Sequence, residues 1–455
     1  MAKHKPEINL SDHFGYSKLI RFTMPTIAMM IFTSIYGVVD GLFVSNVVGS
    51  GAFASVNLIM PAVMLPGTLG FMIGAGGSAL ISKTLGEGDN ERANRYFSMF
   101  IYLEIILSLM VSVLGIVFME PVARLLGASE AMVPDCVLYG RILMSGLVWM
   151  TLQYSFESLI ITAERPKFGL IITVLSGVTN MALDFLFVYL FRWGVAGAGW
   201  ASVISMALGS VIPLVFFSVK NGTALRLCKP QDIRFELKPI VKSLTNGASE
   251  MVIDLSMSLV NMLFNVQLMR FAGANGVSAF GVIMYAGFIF VGTFVGYSVG
   301  SAPIIGYHYG AENKAELKNL LGRSLRILGI TAVVMTALAE LTARPIAGLF
   351  VGYDSELLAI SVNAVRIYSL GYILSWFNIF ASSFFTALNN GLISGFLSFL
   401  RTFALQVAAI LILPEFFGLD GIWYSVPLAE LISVVVSILC LTANSRKYGY
   451  GFMTK

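Results

Sequence analysis

Apolar residues fall into long runs along this chain, and the polar positions gather in short stretches between them. A hydrocarbon layer about 30 Å thick takes about 20 consecutive apolar residues to cross as a helix, and runs of that length recur from Leu19 onward. The pattern predicts twelve crossings, at about 19–44, 52–82, 96–118, 134–162, 168–190, 197–218, 241–271, 277–305, 321–342, 355–387, 392–413 and 420–442. They are called spans 1 to 12 below. The apolar/polar alternation of a transmembrane barrel is missing, so inside lipid the backbone must satisfy itself through helices. The expected fold is therefore all-α and integral to the membrane.

The longest polar link, Lys220 to Lys238, separates two sets of six spans that resemble each other at a constant offset of 224 positions. Gly76 and Gly86 match Gly300 and Gly310, Gly49 matches Gly273, Thr162-Ala163 matches Thr386-Ala387, and Gly194 and Gly197 match Gly418 and Gly421. An even number of spans per set makes these parallel repeats, related by an axis along the membrane normal. In known transporters of that design the substrate and coupling-ion sites lie near the midplane between rocking halves. The expected organisation is a terminal segment over 1–18, an N-lobe over 19–218, a linker over 219–240, a C-lobe over 241–442 and a tail over 443–455, with a cavity between the lobes.

Composition agrees with the pattern: 57% of residues are hydrophobic, 12% are charged, and the mean hydropathy is +0.83. Placement of the basic residues says more than the net charge of +4. Links of one parity carry Lys3, Lys5 and Lys18, then Lys83, Arg92 and Arg95, and later Lys314, Lys318, Arg323 and Arg326. The opposite links carry Arg124, Arg192, Arg270 and Arg344. This positive-inside bias places both termini in the cytoplasm of a multi-pass protein of the cell inner (plasma) membrane. The basic stretches then serve topology, and no nucleic acid is expected as a partner. The first eighteen residues lack a cleavable-leader pattern. Cys136, Cys228 and Cys440 are far apart, and His4, His13 and His308 form no metal or catalytic array, so neither a metal centre nor an enzyme is expected.

Against this apolar background a few polar side chains stand out. Asn180 and Asp184, in SGVTNMALDFLFVYLF, lie one turn apart on one face of span 5. A charge at mid-membrane costs about 2.5–3.5 kcal/mol on insertion scales and is functional by default. Asp40, in the outer part of span 1 with Tyr36 a turn before it, offers a second carboxylate. Such a pair can share a proton or collect Na⁺ through oxygen ligands, which makes Asp184 the candidate switchable charge. Glu157 lies lower, about 10 Å from the basic end of span 4, and is expected to contact a substrate cation. Met284 and Ala302 share a face of span 8 and, with Ser78, are expected on the cavity wall. Glu250 and Asp254 are placed near the cytoplasmic start of span 7, and Arg401 with Glu430 as an internal ion pair. Pro25, Pro61, Pro66 and Pro303 permit kinks.

The same residues resemble the multidrug and toxic compound extrusion (MATE) family. VVDGLFVSNVVG closes span 1, LGEGDNERA and YGAENKAEL follow spans 2 and 8, ERPK joins spans 4 and 5, and NMALDFLFVYLFRWGVAGAGWAS runs from span 5 into span 6. The likeness covers roughly Leu19 to Leu441. It implies a cation-coupled antiporter, driven by H⁺ or Na⁺ and without another cofactor, that expels amphipathic, often cationic, drugs by alternating access. It further implies an N-lobe cation site at Asp40, Asn180, Asp184 and Ser202. Glu157 together with Asp184 resembles the MepA-like branch. The expected partners are small organic cations and the lipid bilayer, for a monomer. A flippase for a lipid-linked precursor, which should carry several cavity arginines, and a non-transporting membrane receptor or scaffold are the alternatives.

Overall fold

A computed structural model describes residues 8–43, 47–352 and 354–451, with the side chains of residues 38–43, 50, 285 and 286 outside the description. Its helices are α1 (Tyr16–Phe43), α2 (Ser50–Gly86), α3 (Asn90–Leu125), α4 (Val133–Ser145), α5 (Leu147–Thr162), α6 (Pro166–Asp184) and α7 (Gly194–Ser218). After the linker come α8 (Leu237–Gly310), α9 (Lys314–Val351), α10 (Ser355–Ser369), α11 (Tyr372–Ala387), α12 (Gly391–Phe399) and α13 (Leu405–Tyr448). Single π-helical turns, Phe185–Leu190 and Leu400–Ala404, follow α6 and α12. No strand occurs among the described residues.

The twelve expected spans map onto these thirteen helices through four breaks. Gly273 (φ 59°, ψ −148°) divides α8 into spans 7 and 8, and Gly418 (φ 58°, ψ −138°) separates the start of α13, which completes span 11, from span 12. Both backbones lie in a region that only glycine occupies readily. Spans 4 and 10, each expected as one crossing, are bent, by 57° between α4 and α5 and by 46° between α10 and α11. Helix continues through Pro25, Pro61, Pro66 and Pro303.

The duplication is visible in the backbone. Left-handed residues recur at the 224-position offset: Gly49 with Gly273, Gly88 with Glu312, and Gly194 with Gly418. So do two helix caps. Asp89 accepts from the Arg92 N–H and Asn313 from the Glu316 N–H, each satisfying an orphan donor at a helix start.

The two halves meet at the end that carries the basic links, here termed the basic face, and glycine sets how closely. A Cβ added to Gly247 would stand 2.7 Å from the Met72 carbonyl carbon, and one on Gly76 2.7 Å from the Gly247 nitrogen. Farther toward the basic face, a Cβ on Gly86 would lie 2.9 Å from the Tyr307 carbonyl carbon, and one on Gly310 2.7 Å from that of Lys83. Gly86 and Gly310 are repeat partners, as are Lys83 and Tyr307, so a pseudo-twofold axis passes between these contacts. The Asn389 side chain adds a crosslink by donating to the Ala79 carbonyl at 2.9 Å.

At the other end the same helices part. Asn57 and Leu58 of α2 and Asn261, Asn265 and Met269 of α8 line a cavity of about 950 Å³ together with Met132. The halves therefore form a V, sealed at the basic face and open at the opposite one.

The chain before α1 reinforces the seal. Leu10 and Phe14 are buried in the largest apolar cluster, with Ile161 from one half and Ile304, Leu317 and Phe384 from the other. The Leu10 N–H donates to Glu164, the Phe14 N–H to Glu316 at 2.9 Å, and Asn319 donates to the Phe14 carbonyl at 3.1 Å. His13 pairs with Glu316 at 2.7 Å, and Lys18 with Asp12 at 2.7 Å. Burial raises the Asp12 pKa, but hydrogen bonds from Lys18 and the Asn9 backbone more than offset it and hold the carboxyl below its usual range.

Candidate functional site

The first half builds a polar centre where α6 lies against α1 and α7. Gly177 lets α6 approach α1: a Cβ there would stand 3.0 Å from the Tyr36 ring, which packs beside Phe32 with ring centroids 6.0 Å apart. Asn180 and Asp184 follow on the same side of α6, and both are buried. Asp184 is the last residue of α6 before the π-helical turn, and such turns occur often at functional sites. On the α7 side, the Ser176 hydroxyl donates to the Ser205 carbonyl at 2.7 Å, and Ser205 to the Ser202 carbonyl at 2.9 Å. The Asn180 amide oxygen finds no hydrogen-bond partner among the described residues, so a buried oxygen is available to a cation. Asp40 lies one turn beyond Tyr36 in α1, and its side chain is outside the described residues.

Lower in the cleft, Glu157 is half-buried on α5 one turn from Tyr154. The Tyr154 ring stacks on Phe71 of α2 with centroids 4.1 Å apart. Tyr36, Glu157 and Asp254 all lie within electrostatic range of the Tyr154 hydroxyl, which brings an acid of each half to one aromatic wall. Here the structure corrects the expected depth of Glu250 and Asp254. The leg of α8 that holds them runs from Leu237 to Gly273, so Asp254 is about 26 Å along it. That is midway rather than near the basic end. The hydropathy pattern hides this because the first turn of α8 is polar, although Pro239 in that turn suits a helix start.

The second half contains a different constellation. Arg401, in the π-helical turn, forms the expected pair with Glu430 at 3.2 Å. The Asn378 amide donates to Glu430 at 2.6 Å, and Ser437 donates to the Asn378 oxygen at 2.8 Å. This chain ties spans 10, 11 and 12 together and satisfies the buried pair as low dielectric demands.

Other expected contacts fall elsewhere. Ser78 is buried in this form and hydrogen-bonds Thr162 at 2.7 Å, at the seam between α2 and α5. Met284 is half-buried against a second-half core that includes Phe264 and Trp423. Ala302 packs against the cluster at the sealed basic face. Glu104 of α3, fully buried, lies 2.8 Å from the Ser155 hydroxyl, which also reaches the Gly70 carbonyl at 2.8 Å.

Comparison with known proteins agrees with this architecture. The MatE family model matches twice, over residues 25–186 and 251–411, once in each half. The multidrug export protein MepA of Staphylococcus saprophyticus is 21% identical over 431 residues, covering 93% of this chain and 93% of its own. MepA of Staphylococcus aureus is 22% identical over the same coverage. Among solved structures, an outward-facing multidrug resistance MATE transporter of the MOP superfamily superposes with a TM-score of 0.92 at 22% identity, covering 99% of this chain and 100% of that one. A MATE protein in complex with MaL6 gives 0.91 at 23% identity, covering 96% and 98%. A MOP superfamily transporter of Pyrococcus furiosus, described as having a binding pocket of reversed polarity, gives 0.89 at 22%, covering 98% and 99%.

Proposed function

The chain belongs to the MatE family of multidrug efflux transporters, and from that premise we propose that it exports amphipathic organic cations from the cytoplasm in exchange for H⁺ or Na⁺. The observation that carries this reading is the buried Asn180–Asp184 face of α6, set beside a V-shaped cleft that is sealed at the basic face. The basic face is cytoplasmic on the positive-inside rule, so the V is the outward-open form. Asp40, Asn180, Asp184 and Ser202 form the coupling site. A proton or Na⁺ arriving from outside neutralises Asp184 and releases the drug, and the ion leaves on the cytoplasmic side after the V inverts. Such coupling needs only that the ion bind the two forms unequally.

Glu157, Tyr36 and Tyr154 receive the drug cation, the carboxylate by charge and the rings through their π faces. Met284 and Ala302 contribute through the lining of the inward-open form. The flippase reading is disfavoured by the arginines. Arg401 is the deep one, and Glu430 already pairs with it at 3.2 Å.

The test is transport of a fluorescent organic cation into inside-out proteoliposomes under separately imposed H⁺ and Na⁺ gradients. Asp184→Asn should abolish gradient-driven accumulation while the protein stays folded and keeps binding the dye. Undiminished accumulation would remove Asp184 from the coupling site.

A further inference from the structure

The basic face holds a pocket that the transport cycle above leaves unused. Lys83 of α2 and Lys238 and Lys242 from the first turns of α8 line a cavity of about 480 Å³ with Tyr96, Thr245 and Asn389. A positive-inside bias explains why lysines lie on this side, but it does not require them to converge from both halves on one cavity. Lys447 adds to the field, being within electrostatic range of Lys242, as Lys83 is. The start of α8 at Leu237 contributes N–H groups with partial positive charge.

Two acids oppose this charge. Glu236 lines the cavity, and Glu87 pairs with Lys83 at 2.8 Å while also pairing with Arg92. Lys242 donates one proton to the Asn389 carbonyl at 2.6 Å. An ammonium has three donors, so both lysines retain donors after these bonds. The balance inside the cavity remains positive, with tyrosine and threonine hydroxyls beside it.

We propose that this pocket binds a phosphate group, supplied by the headgroup of an anionic phospholipid in the cytoplasmic leaflet. Basic pockets between helices at that depth suit such headgroups. Lys83 belongs to the first half and Lys242 to the second. A phosphate held between them bonds both halves only while the basic face is sealed, and it therefore favours the outward-open form. This last consequence rests on the transport reading; the binding itself does not.

The experiment uses the full chain in nanodiscs of phosphatidylcholine with increasing phosphatidylglycerol, with retained lipid measured by native mass spectrometry. Phosphatidylglycerol should be retained preferentially and should bind roughly fivefold more weakly for each lysine removed in Lys83→Gln, Lys242→Gln and the double variant. Lys167→Gln, on the same face but outside the pocket, should match the parent. A parallel titration of inorganic phosphate in detergent separates the sources. Competition that depends on the same lysines supports a site open to soluble phosphate, and retention of the lipid alone supports a headgroup site. Equal retention of both lipids, or unchanged retention in the double variant, overturns the proposal whatever the outcome of transport assays.

Discussion

The backbone contacts that seal the basic face make Gly247→Ala a test of the alternating V. A Cβ at this position would stand 2.7 Å from the Met72 carbonyl carbon and 2.8 Å from its Cα, and closer still to its oxygen. Carbon atoms pack at about 3.5–4.0 Å, so α2 and α8 must separate by about 1 Å to admit the methyl group. Backbone cannot rotate away as a side chain can. Overpacking of this kind costs about 1–3 kcal/mol, and the cost falls only on the form in which the helices touch. Alanine raises helix propensity by about 1 kcal/mol over glycine, but equally in both forms, so it cancels from their ratio.

At 1.4 kcal/mol per factor of ten, the ratio should move toward the inward-open form by about 5- to 150-fold. Spin labels at Glu91 and Glu312, exposed on the basic face of the two halves, would report this by pulsed electron resonance in a background without Cys136, Cys228 and Cys440. The distance distribution should gain a longer component in Gly247→Ala. Gly395→Ala, on α12 with nothing within 4 Å of the added carbon, should leave it unchanged. If Gly247→Ala, folded and inserted, gives the parent distribution, or if the Gly395 control shifts as far, the seal is not what holds the halves together.

Two further expectations concern groups outside the coupling site. Phe14→Ala removes a fully buried ring from the segment that straps both halves, which should destabilise the sealed form by about 3–5 kcal/mol and lengthen the Glu91–Glu312 distance; a lowered melting temperature with no change in distance would make the strap a folding element only. The Ser155 hydroxyl has one proton and two neighbouring acceptors, the Gly70 carbonyl and Glu104, a count that closes only if Glu104 is itself protonated. Glu104→Gln should then keep melting temperature and efflux within about 1 kcal/mol of the parent, and Glu104→Ala should cost about 1–3 kcal/mol by leaving buried groups unsatisfied; a large loss in the glutamine variant would show that the carboxyl is ionised.

Much of this architecture is legible in the sequence, for identifiable reasons. Length of apolar run is what a bilayer selects, so the spans could be read, and glycines that must adopt positive φ kept their places through the duplication. Asp184 and Asn180 stood out because a charge amid Leu, Phe and Val has no cheap explanation. The bends within spans 4 and 10 were invisible because hydropathy records burial in lipid, not direction. The bond from Ser78 to Thr162 was hidden for a related reason: a hydroxyl facing a cavity and one bonded to a neighbouring helix give the same signal in sequence. Leu10 and Phe14 lie among polar residues without periodicity, and only their contacts distinguish a strap from a loose end.

The repeat also bears on which half does the switching. Moved by 224 positions, Asn180, Asp184 and Glu157 become Ala404, Ala408 and Ala381, while Arg401 and Glu430 become Gly177 and Met206. The Gly86 and Gly310 contacts of the seal stayed symmetric, whereas these five polar positions diverged. In the second half the acid has a fixed base, since Arg401 neutralises Glu430 within the protein. In the first half α6 instead holds Asn180 and Asp184, both buried, on one side. We propose that the charge that answers this carboxylate is a mobile cation, because a cation that binds one arrangement of the halves better than the other is what an ion gradient can drive.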